Sequence, residues 1–141
     1  MKKITIEDCR MMDLPKVPDV RGNLTFVENN KHVPFEIKRV FYTYDVPGGE
    51  SRGEHANINT EQFIVAMSGS FDVVVDDGIR RIKFQLNRAY YGLYIRQMIW
   101  RGIENFSSGA VCLVLASTFY SADDYIEDYA IFKESKKTDT T

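Results

Sequence analysis

Hydrophobic residues in this chain come in short runs that alternate with polar residues and are separated by turn-forming residues. An alternation with a period of two predicts β-strands. The clearest example is a hairpin from Ser70 to Leu86, in which both halves alternate around the sequence Asp76-Asp77-Gly78. Because glycine adopts a positive φ without strain, Gly78 suits the tight turn that such a hairpin requires.

Further candidate strands are rich in Val, Ile, Phe and Tyr and lie at residues 23–28, 35–45, 62–67, 89–95 and 110–117. With the hairpin, and one or two more strands near the N-terminus and around Trp100, the chain has about eight or nine strands at short intervals, which is typical of a sandwich or a small barrel. We therefore predict an all-β fold. We also predict a single domain over residues 1–133 and a polar C-terminal tail over residues 134–141.

The C-terminal part of the domain changes to helical spacing. Ser121 is a candidate N-cap, and acidic residues follow it in the first predicted turn. Four hydrophobic residues then come at helical spacing: Tyr125, Ile126, Tyr129 and Phe132. We expect one short α-helix that packs on the barrel through this aromatic face.

The candidate strand at residues 35–45 has no purely apolar face. Arg39 and Thr43 fall on one face, and Lys38 and Tyr42 fall on the other. Burial of these polar groups is costly unless a partner satisfies them. Two interpretations remain open: the strand lines a barrel mouth that binds a polar ligand, or its polar side chains extend into solvent at the strand edges.

The composition narrows the range of functions. The chain has 141 residues, of which 44% are hydrophobic, so it forms a core without disulfides or a structural metal. The formal net charge of −2, with no basic block, argues against nucleic acid and anionic membrane as partners. The longest apolar run, residues 110–116, is far shorter than the ~20 residues of a membrane span. The chain begins without a signal-peptide pattern, so we expect a cytoplasmic protein in which Cys112 is buried and reduced.

The candidate chemistry centres on one of the two histidines. His32 lies in a polar stretch before a proline, which is typical of a solvated loop. His55 follows a glycine-rich turn and begins an extended run, in which alternation directs His55 and Asn57 to the same face. The first motif of the cupin superfamily has a spacing that resembles the series Gly49, His55, Asn57, Gln62 and Gly69.

In most cupins this motif binds a metal through two histidines and a glutamate. Here Asn57 and Gln62 occupy the positions of the second histidine and the glutamate. The second cupin motif would supply one more histidine within residues 100–105, and this segment contains none. One imidazole with two amides is a poor ligand set for zinc, iron or manganese. We therefore predict a cupin-type barrel without a catalytic metal.

Longer segments resemble one family within this superfamily, the WxcM-like sugar-nucleotide 3,4-ketoisomerases. Within residues 21–132 they include, in order, PFEIKRVFYTYDV, RGEHAN, MSGSFDVVVDDG, GLYI and FSSGAVCLVLASTFYSADDYIEDYAIF. The resemblance implies a cupin-type double-stranded β-helix (jelly-roll barrel), a homodimer that exchanges N-terminal strands, and no cofactor. It also implies an isomerase that moves the keto group of a dTDP-4-keto-6-deoxyhexose from C4 to C3. The products of this family serve the synthesis of deoxyaminosugars for cell-surface glycans, such as O-antigen and S-layer glycan.

Such an isomerisation needs a group that removes a proton from C3 and returns one to C4. A neutral imidazole, with an unperturbed pKa of ~6.5, suits this task, and we assign it to His55. Candidate donors to the enediolate are Asn57, Tyr42 and Arg52. Candidate substrate-binding residues are Arg39 and Gln62 and, from the family resemblance, Arg21, Gly22, Trp100 and Arg101.

One departure from the family leaves other functions open. Many members carry His-X-His where this chain has His55-Ala56-Asn57, and an asparagine side chain does not titrate in water. The chain is then either an isomerase in which His55 works alone or a non-catalytic sugar-nucleotide-binding module. A cupin epimerase or dehydratase that acts on a related keto sugar is a further alternative.

Overall fold

The strands of this protein form two five-stranded antiparallel sheets and a short separate ribbon in the computed structural model, which describes residues 3–138. In chain order the elements are β1 (Arg10–Asp13), β2 (Lys16–Val17), β3 (Leu24–Thr25), β4 (Arg39–Thr43), β5 (Arg52–Asn57), β6 (Gln62–Ser68), β7 (Phe71–Asp76), β8 (Arg81–Leu86), β9 (Tyr91–Ile95), β10 (Trp100–Glu104), β11 (Val111–Ala116), β12 (Tyr125–Ile126) and α1 (Tyr129–Thr138).

The first sheet has the strand order β1-β9-β6-β11-β4, and the second has the order β12-β5-β10-β7-β8. The ribbon consists of β2 and β3. Two facing antiparallel sheets are the layers of a jelly roll, so the predicted all-β fold class is confirmed. Among residues 3–138, these sheets remain two separate layers rather than one closed sheet. None of the helices in that part of the chain has the length and hydrophobicity to cross a membrane.

The predicted hairpin is formed by β7 and β8. These strands pair in register from Phe71 with Leu86 to Asp76 with Arg81. The turn contains Gly78 at a φ of +93°, and the side chains of Asp76 and Asp77 accept hydrogen bonds from backbone N–H groups of the turn. The local alternation and the turn chemistry therefore specify this element together.

The main hydrophobic core lies between the two sheets. Its strand residues occupy alternate positions, because successive side chains of a strand point to opposite faces. They are Ile64 and Ala66 of β6, Phe71, Val73 and Val75 of β7, Leu86 of β8, Leu93 and Ile95 of β9, and Cys112 and Val114 of β11. Cys9 and Cys112 are buried free thiols.

The strand predicted over residues 35–45 is shorter in the structure, where β4 forms an edge of the first sheet. Arg39 and Phe41 are half-buried on the side of the core, whereas Val40 and Tyr42 are exposed on the other side. An edge strand with one solvated face explains the mixed pattern of this segment.

The helix predicted to begin at Ser121 is wrong in its position. Residues 122–124 form one 3₁₀ turn, and β12 then pairs with β5. The helix α1 begins at Tyr129, where Asp128 accepts a hydrogen bond from the N–H of Ile131. Residues 134–138, predicted as part of a polar tail, continue this helix, and Lys136 within them is buried. Residues 139–141 lie outside the described part.

The predicted packing of the helix is confirmed for Tyr129 and Phe132, whereas Tyr125 and Ile126 belong to β12. Phe132 is fully buried, and its ring centroid lies 5.7 Å from that of Trp100 on the outer face of the second sheet. The ring of Tyr129 lies 5.3 Å from Trp100. The helix thus closes the outer face of the second sheet and leaves the inner face to the residues described next.

Candidate active site

His55 and Arg101 are direct neighbours across the strand pair β5–β10. Residues that face each other in an antiparallel pair point to the same side of the sheet. Arg101 also faces Val75 of β7, which is completely buried in the core. The imidazole and the guanidinium therefore both point to the inner side of the second sheet, and His55 lies there half-buried.

Arg101 is a buried cation that links the two sheets. Its side chain is 1% exposed, and its Nη1 donates a hydrogen bond of 2.6 Å to Oε1 of Gln62 on the first sheet. Its Nη2 donates to the carbonyl oxygens of Ile99 and Arg96. Burial lowers the pKa of Arg101 to about 10, so the guanidinium keeps its charge at neutral pH.

His55 is held in its neutral form. Burial and, next, the charge of Arg101 lower the pKa of His55 from 6.5 to about 4, against the smaller opposing effects of Asn57, the Gly53 backbone and Asp124. Its Nε2 lies 3.2 Å from Oδ1 of Asn57. At neutral pH this imidazole retains a lone pair, which a general base requires.

Asn57 is completely buried and joins His55 to an acidic side chain that the sequence did not single out. Its Nδ2 donates a hydrogen bond of 2.9 Å to Oδ2 of the buried Asp124. In the sequence Asp124 had the pattern of a first-turn acid of a helix, and nothing local to residues 121–124 distinguishes it from the exposed Asp123. Only the pairing of β12 with β5 brings it to the site.

A β-bulge brings Arg52 to the same face as His55. His55 faces Arg101, whereas Arg52 faces Ile103, so β5 has one extra residue over this interval. The bulge contains Gly53 at a φ of +73°, a conformation that favours glycine. Without the bulge, strict alternation would direct Arg52 and His55 to opposite faces. Arg52 is exposed and lines a cleft of about 290 Å³ next to Tyr44.

A second cation, Arg39, lies on the same side of the first sheet as Gln62, since both residues face Ala116. Its Nε is buried and has no hydrogen-bond partner among residues 3–138. The guanidinium lies 5.2 Å from the ring of Phe41 and 5.6 Å from that of Tyr120.

Two tyrosine rings, those of Tyr120 and Tyr125, lie between the Arg39 guanidinium and His55. The centroids of Tyr120 and Tyr125 are 6.0 Å apart, and those of Tyr125 and His55 are 4.8 Å apart. Tyr120 is 67% exposed, so this group reaches solvent. The structure therefore brings Arg39, Arg52, His55, Asn57, Gln62 and Arg101 to the side between the sheets.

Four predicted site residues lie elsewhere. Tyr42 is 60% exposed on the outer side of β4, and Trp100 packs against α1 because it precedes Arg101 on an alternating strand. Arg21 and Gly22 lie at the turn of the β2–β3 ribbon, where the exposed Arg21 side chain forms an ion pair with Asp19 at 2.9 Å. Within one chain, these four residues are not assembled with His55.

A large apolar cavity is also separate from His55. It has a volume of about 640 Å³ and lies on the outer side of the first sheet, with a mainly apolar lining that includes Leu24, Met67 and Leu113. Size alone is a poor guide here, because the imidazole with a lowered pKa and its convergent polar partners, Arg101 and Asn57, lie elsewhere.

The donor set around His55 consists of the amides of Asn57 and Gln62, the guanidinium of Arg101 and the carboxylate of Asp124. Across residues 3–138, no group of three or more His, Cys, Asp or Glu side chains is arranged to hold a metal ion.

Comparisons with known proteins relate the chain to one family. A family model described as FdtA: WxcM-like, C-terminal matches residues 7–137. The TDP-4-oxo-6-deoxy-alpha-D-glucose-3,4-oxoisomerase of Aneurinibacillus thermoaerophilus is 41% identical over 125 residues, which cover 89% of this chain and 90% of that protein.

Solved structures give the same result for the whole fold. The WlaRB TDP-quinovose 3,4-ketoisomerase of Campylobacter jejuni is 48% identical, with a TM-score of 0.88 over 92% of this chain and 99% of that chain. A mutant of the 3,4-ketoisomerase QdtA of Thermoanaerobacterium thermosaccharolyticum, in complex with TDP-4-keto-6-deoxyglucose, is 31% identical, with a TM-score of 0.89 over 92% of this chain and 94% of that chain.

Proposed function

Because the chain belongs to the WxcM-like FdtA family, we propose that it is a sugar-nucleotide 3,4-ketoisomerase, which moves the keto group of a dTDP-4-keto-6-deoxyhexose from C4 to C3. One observation in this chain carries the proposal: a neutral imidazole, His55, lies beside the buried cation of Arg101. The relatives are named as 3,4-ketoisomerases or a 3,4-oxoisomerase, which favours this activity over a non-catalytic module or an epimerase or dehydratase.

In this reaction His55 removes the hydrogen from C3, which the adjacent C4 carbonyl acidifies. The electron pair of the C3–H bond forms a C3=C4 double bond, and the carbonyl pair moves onto O4, giving an enediolate. O4 then takes up a proton while O3 loses one. His55 returns its proton to C4 as the C3=O bond forms. Substrate and product are isomers, so no electrons leave the sugar and the balance requires no redox partner.

The enediolate carries a negative charge that positive groups stabilise. Arg101 is buried, and its guanidinium already donates to Gln62 and to two carbonyl oxygens. We therefore assign this role to Arg101 through its charge rather than through a direct hydrogen bond. Arg52, exposed on the same face as His55, is our candidate for direct contact with the sugar. Asn57 acts on His55 rather than on the enediolate, because both ends of its amide are already engaged.

The nucleotide diphosphate needs a cation, and we propose that Arg39 supplies it. The Nε of Arg39 is buried without a partner among the described residues, and a phosphate oxygen would satisfy it. The rings of Phe41 and Tyr120, at 5.2 and 5.6 Å from the guanidinium, support its position by cation–π contacts.

We also propose that the protein works as a homodimer with exchanged N-terminal strands. The β2–β3 ribbon pairs only with itself among the described residues and exposes Val17, Val20 and Leu24. Exposed apolar side chains on such a ribbon suit a contact with a second copy. In this arrangement Arg21 and Gly22 at its turn reach the sugar bound by the partner. We propose that the protein acts in the cytoplasm, in the synthesis of deoxyaminosugars for cell-surface glycans.

The test is hydrogen exchange during turnover. Purified protein incubated with dTDP-4-keto-6-deoxyglucose in deuterated water is expected to exchange the hydrogen at C3 and to form a 3-keto product that NMR identifies. His55→Gln is expected to abolish both. The matched control is His32→Asn at the other histidine, which is half-buried beside Phe26 in a separate loop and is expected to behave as wild type. Absence of exchange and product in the wild-type protein would refute the proposed activity.

A further inference from the structure

The side-chain carboxylate of Asp124 accepts three hydrogen bonds. Its Oδ1 accepts the backbone N–H of Asn59 at 2.6 Å, and its Oδ2 accepts the Nδ2 of Asn57 at 2.9 Å and the hydroxyl of Thr60. Asp124 is 6% exposed and Asn57 is completely buried. A buried carboxylate that receives three donors acts only as an acceptor.

This arrangement fixes the orientation of the Asn57 amide. Only the NH₂ end of an asparagine side chain can donate, so this end must face Asp124, and the carbonyl oxygen Oδ1 must then face His55. The backbone of Asn57 is also fixed, since its carbonyl oxygen accepts the N–H of Met98 at 2.7 Å and its strand pairs with Tyr125. The amide therefore has one orientation in this interior.

The amide orientation in turn selects the tautomer of His55. Nε2 lies 3.2 Å from Oδ1 of Asn57, and an oxygen that cannot donate requires an N–H on the ring. The neutral ring then carries its proton on Nε2 and its lone pair on Nδ1. We propose that Asp124 is a positioning residue which, through Asn57, holds His55 in the Nε2–H tautomer and makes Nδ1 the atom that takes the substrate proton.

The assignment of Nδ1 as the reacting atom rests on the proposed isomerase activity, whereas the tautomer itself does not. The carbonyl oxygen of Gly53 is a competing acceptor, because it too favours a proton on the ring, whereas Oδ1 of Asn57 is the side-chain partner at hydrogen-bond distance from Nε2. The charged and titratable groups that act on the ring are Arg101, across the strand pair, and Asp124, with the Tyr125 ring packed at 4.8 Å. The contact with Asp124 also gives a reason why asparagine serves at position 57: the amide of Asn57 orients the base and does not titrate.

The substitution Asp124→Asn tests the chain of contacts. The backbone N–H of Asn59 cannot turn away, so the new amide must place its oxygen there and its NH₂ toward Asn57. Two NH₂ groups would then face each other, and the Asn57 amide flips to relieve the clash. The flipped amide offers an N–H to Nε2 of His55, which becomes an acceptor, and the ring proton moves to Nδ1.

The primary readout is ¹⁵N NMR of the imidazole at neutral pH, in protein labelled at histidine. The chain has two histidines, so the spectrum of His55→Gln assigns the His55 signals. In the wild type we expect a pyrrole-type Nε2 and a pyridine-type Nδ1 for His55. In Asp124→Asn we expect these two types to exchange places.

The kinetic readout is the isomerase rate. We expect Asp124→Asn to lower kcat by about 10- to 100-fold with little change in KM, since such supporting residues orient a reacting group without contacting substrate. The matched control is Asp123→Asn, which removes the same charge from the exposed neighbouring residue. It is expected to retain both the wild-type tautomer and the wild-type kcat.

The outcomes are distinct. A pyridine-type Nε2 in the wild-type protein overturns the proposal, even if Asp124→Asn does not fold. An unchanged tautomer and kcat in folded Asp124→Asn also overturns it. A wild-type protein with the expected tautomer but without hydrogen exchange at C3 supports the positioning role of Asp124 and refutes the isomerase activity instead.

Discussion

The imidazole of His55 is kept neutral by two effects of different origin. Burial removes water that would solvate the charged ring, and the nearby Arg101 repels a second positive charge. A base near the surface with an unperturbed pKa of ~6.5 would already be protonated in part at pH 6. With its pKa lowered to about 4, His55 keeps its lone pair available under mildly acidic conditions.

This shift has a consequence for stability. Above pH 6.5, His55 is neutral in both the folded and the unfolded chain. Between pH 6.5 and about 4, the unfolded chain binds a proton that the folded chain does not, so the free energy of unfolding falls as the pH falls. We expect His55→Gln to lack this component of the pH dependence. Urea unfolding of both proteins at pH 7 and pH 5 measures it; a difference between them that is equal at both pH values would contradict the shift.

Removal of the Arg101 charge is expected to raise the pKa of His55. In Arg101→Met, the pKa of His55 rises because the repulsion is lost. The free energy of unfolding falls by about 3 kcal/mol, since Gln62 and two carbonyl groups lose their buried donor. NMR titration of His55 and denaturant unfolding provide the two measurements. Arg88→Met, at an exposed arginine, is the control, and an equal pKa change there would disprove the pairwise effect.

At the scale of elements, the bulge in β5 decides which side chains share a face. Gly53 has a φ of +73°, where a residue with a Cβ is strained by about 1–2 kcal/mol. We expect Gly53→Ala to lower the free energy of unfolding by that amount and to reduce kcat/KM, since relief of the strain would turn Arg52 away from His55. Gly48→Ala is the control, because its backbone is not in this region and a Cβ there meets nothing within 4 Å. Equal effects of the two substitutions would argue against the bulge.

The C-terminal helix offers a second prediction at this scale. Phe132 is fully buried against Trp100, whereas its neighbour Ile131 is 58% exposed. We expect Phe132→Ala to destabilise the protein by about 3–5 kcal/mol, and Ile131→Ala to change its stability by less than about 0.5 kcal/mol. Chemical denaturation measures both. Similar small losses would mean that α1 does not close the outer face of the second sheet.

The elements show which parts of the fold the sequence can specify. The β7–β8 hairpin was predictable because its strands and its turn lie within one continuous segment. The segment after Ser121 was not, since its helical spacing competes with contacts between residues far apart: Asp124 bonds to Asn57, 67 positions away. That tertiary pairing overrides the local preference, as it does in β12.

The same limit applies to the site. Residue chemistry and family resemblance singled out His55, Asn57 and Arg101, which the structure places on the same side of the second sheet. They did not indicate which of the adjacent residues Trp100 and Arg101 faces the core, since this depends on the packing of α1 over Trp100. The position of Asp124 depends on the strand pairing alone, so the positioning role that we propose for it had no sequence signal.

At the scale of the whole molecule, the proposed dimer makes a prediction that a single chain cannot satisfy. Arg21 lies at the exposed turn of the β2–β3 ribbon, and among residues 3–138 the hydrogen bonds of its guanidinium go to Asp19. If the ribbon serves the partner's site, Arg21→Ala and His55→Gln impair different sites of a mixed dimer. Each active site of a homodimeric variant lacks one of the two residues. In a mixed dimer, one site lacks both residues and the other lacks neither.

We therefore expect an equimolar mixture of the two inactive variants, after dissociation and reassociation, to recover about a quarter of the wild-type activity, because half of the dimers are mixed and each has one intact site. The rate of C3 hydrogen exchange measures this recovery. The control is a mixture of His55→Gln with Asp124→Asn, two residues of the same site in the same chain. Each site of a mixed dimer then carries one of the two substitutions, so we expect no activity above the mean of the two separate variants. If the Arg21→Ala mixture likewise recovers no activity, Arg21 does not serve the partner's site, since an Arg21 that acts in its own chain's site leaves one substitution in each site of a mixed dimer.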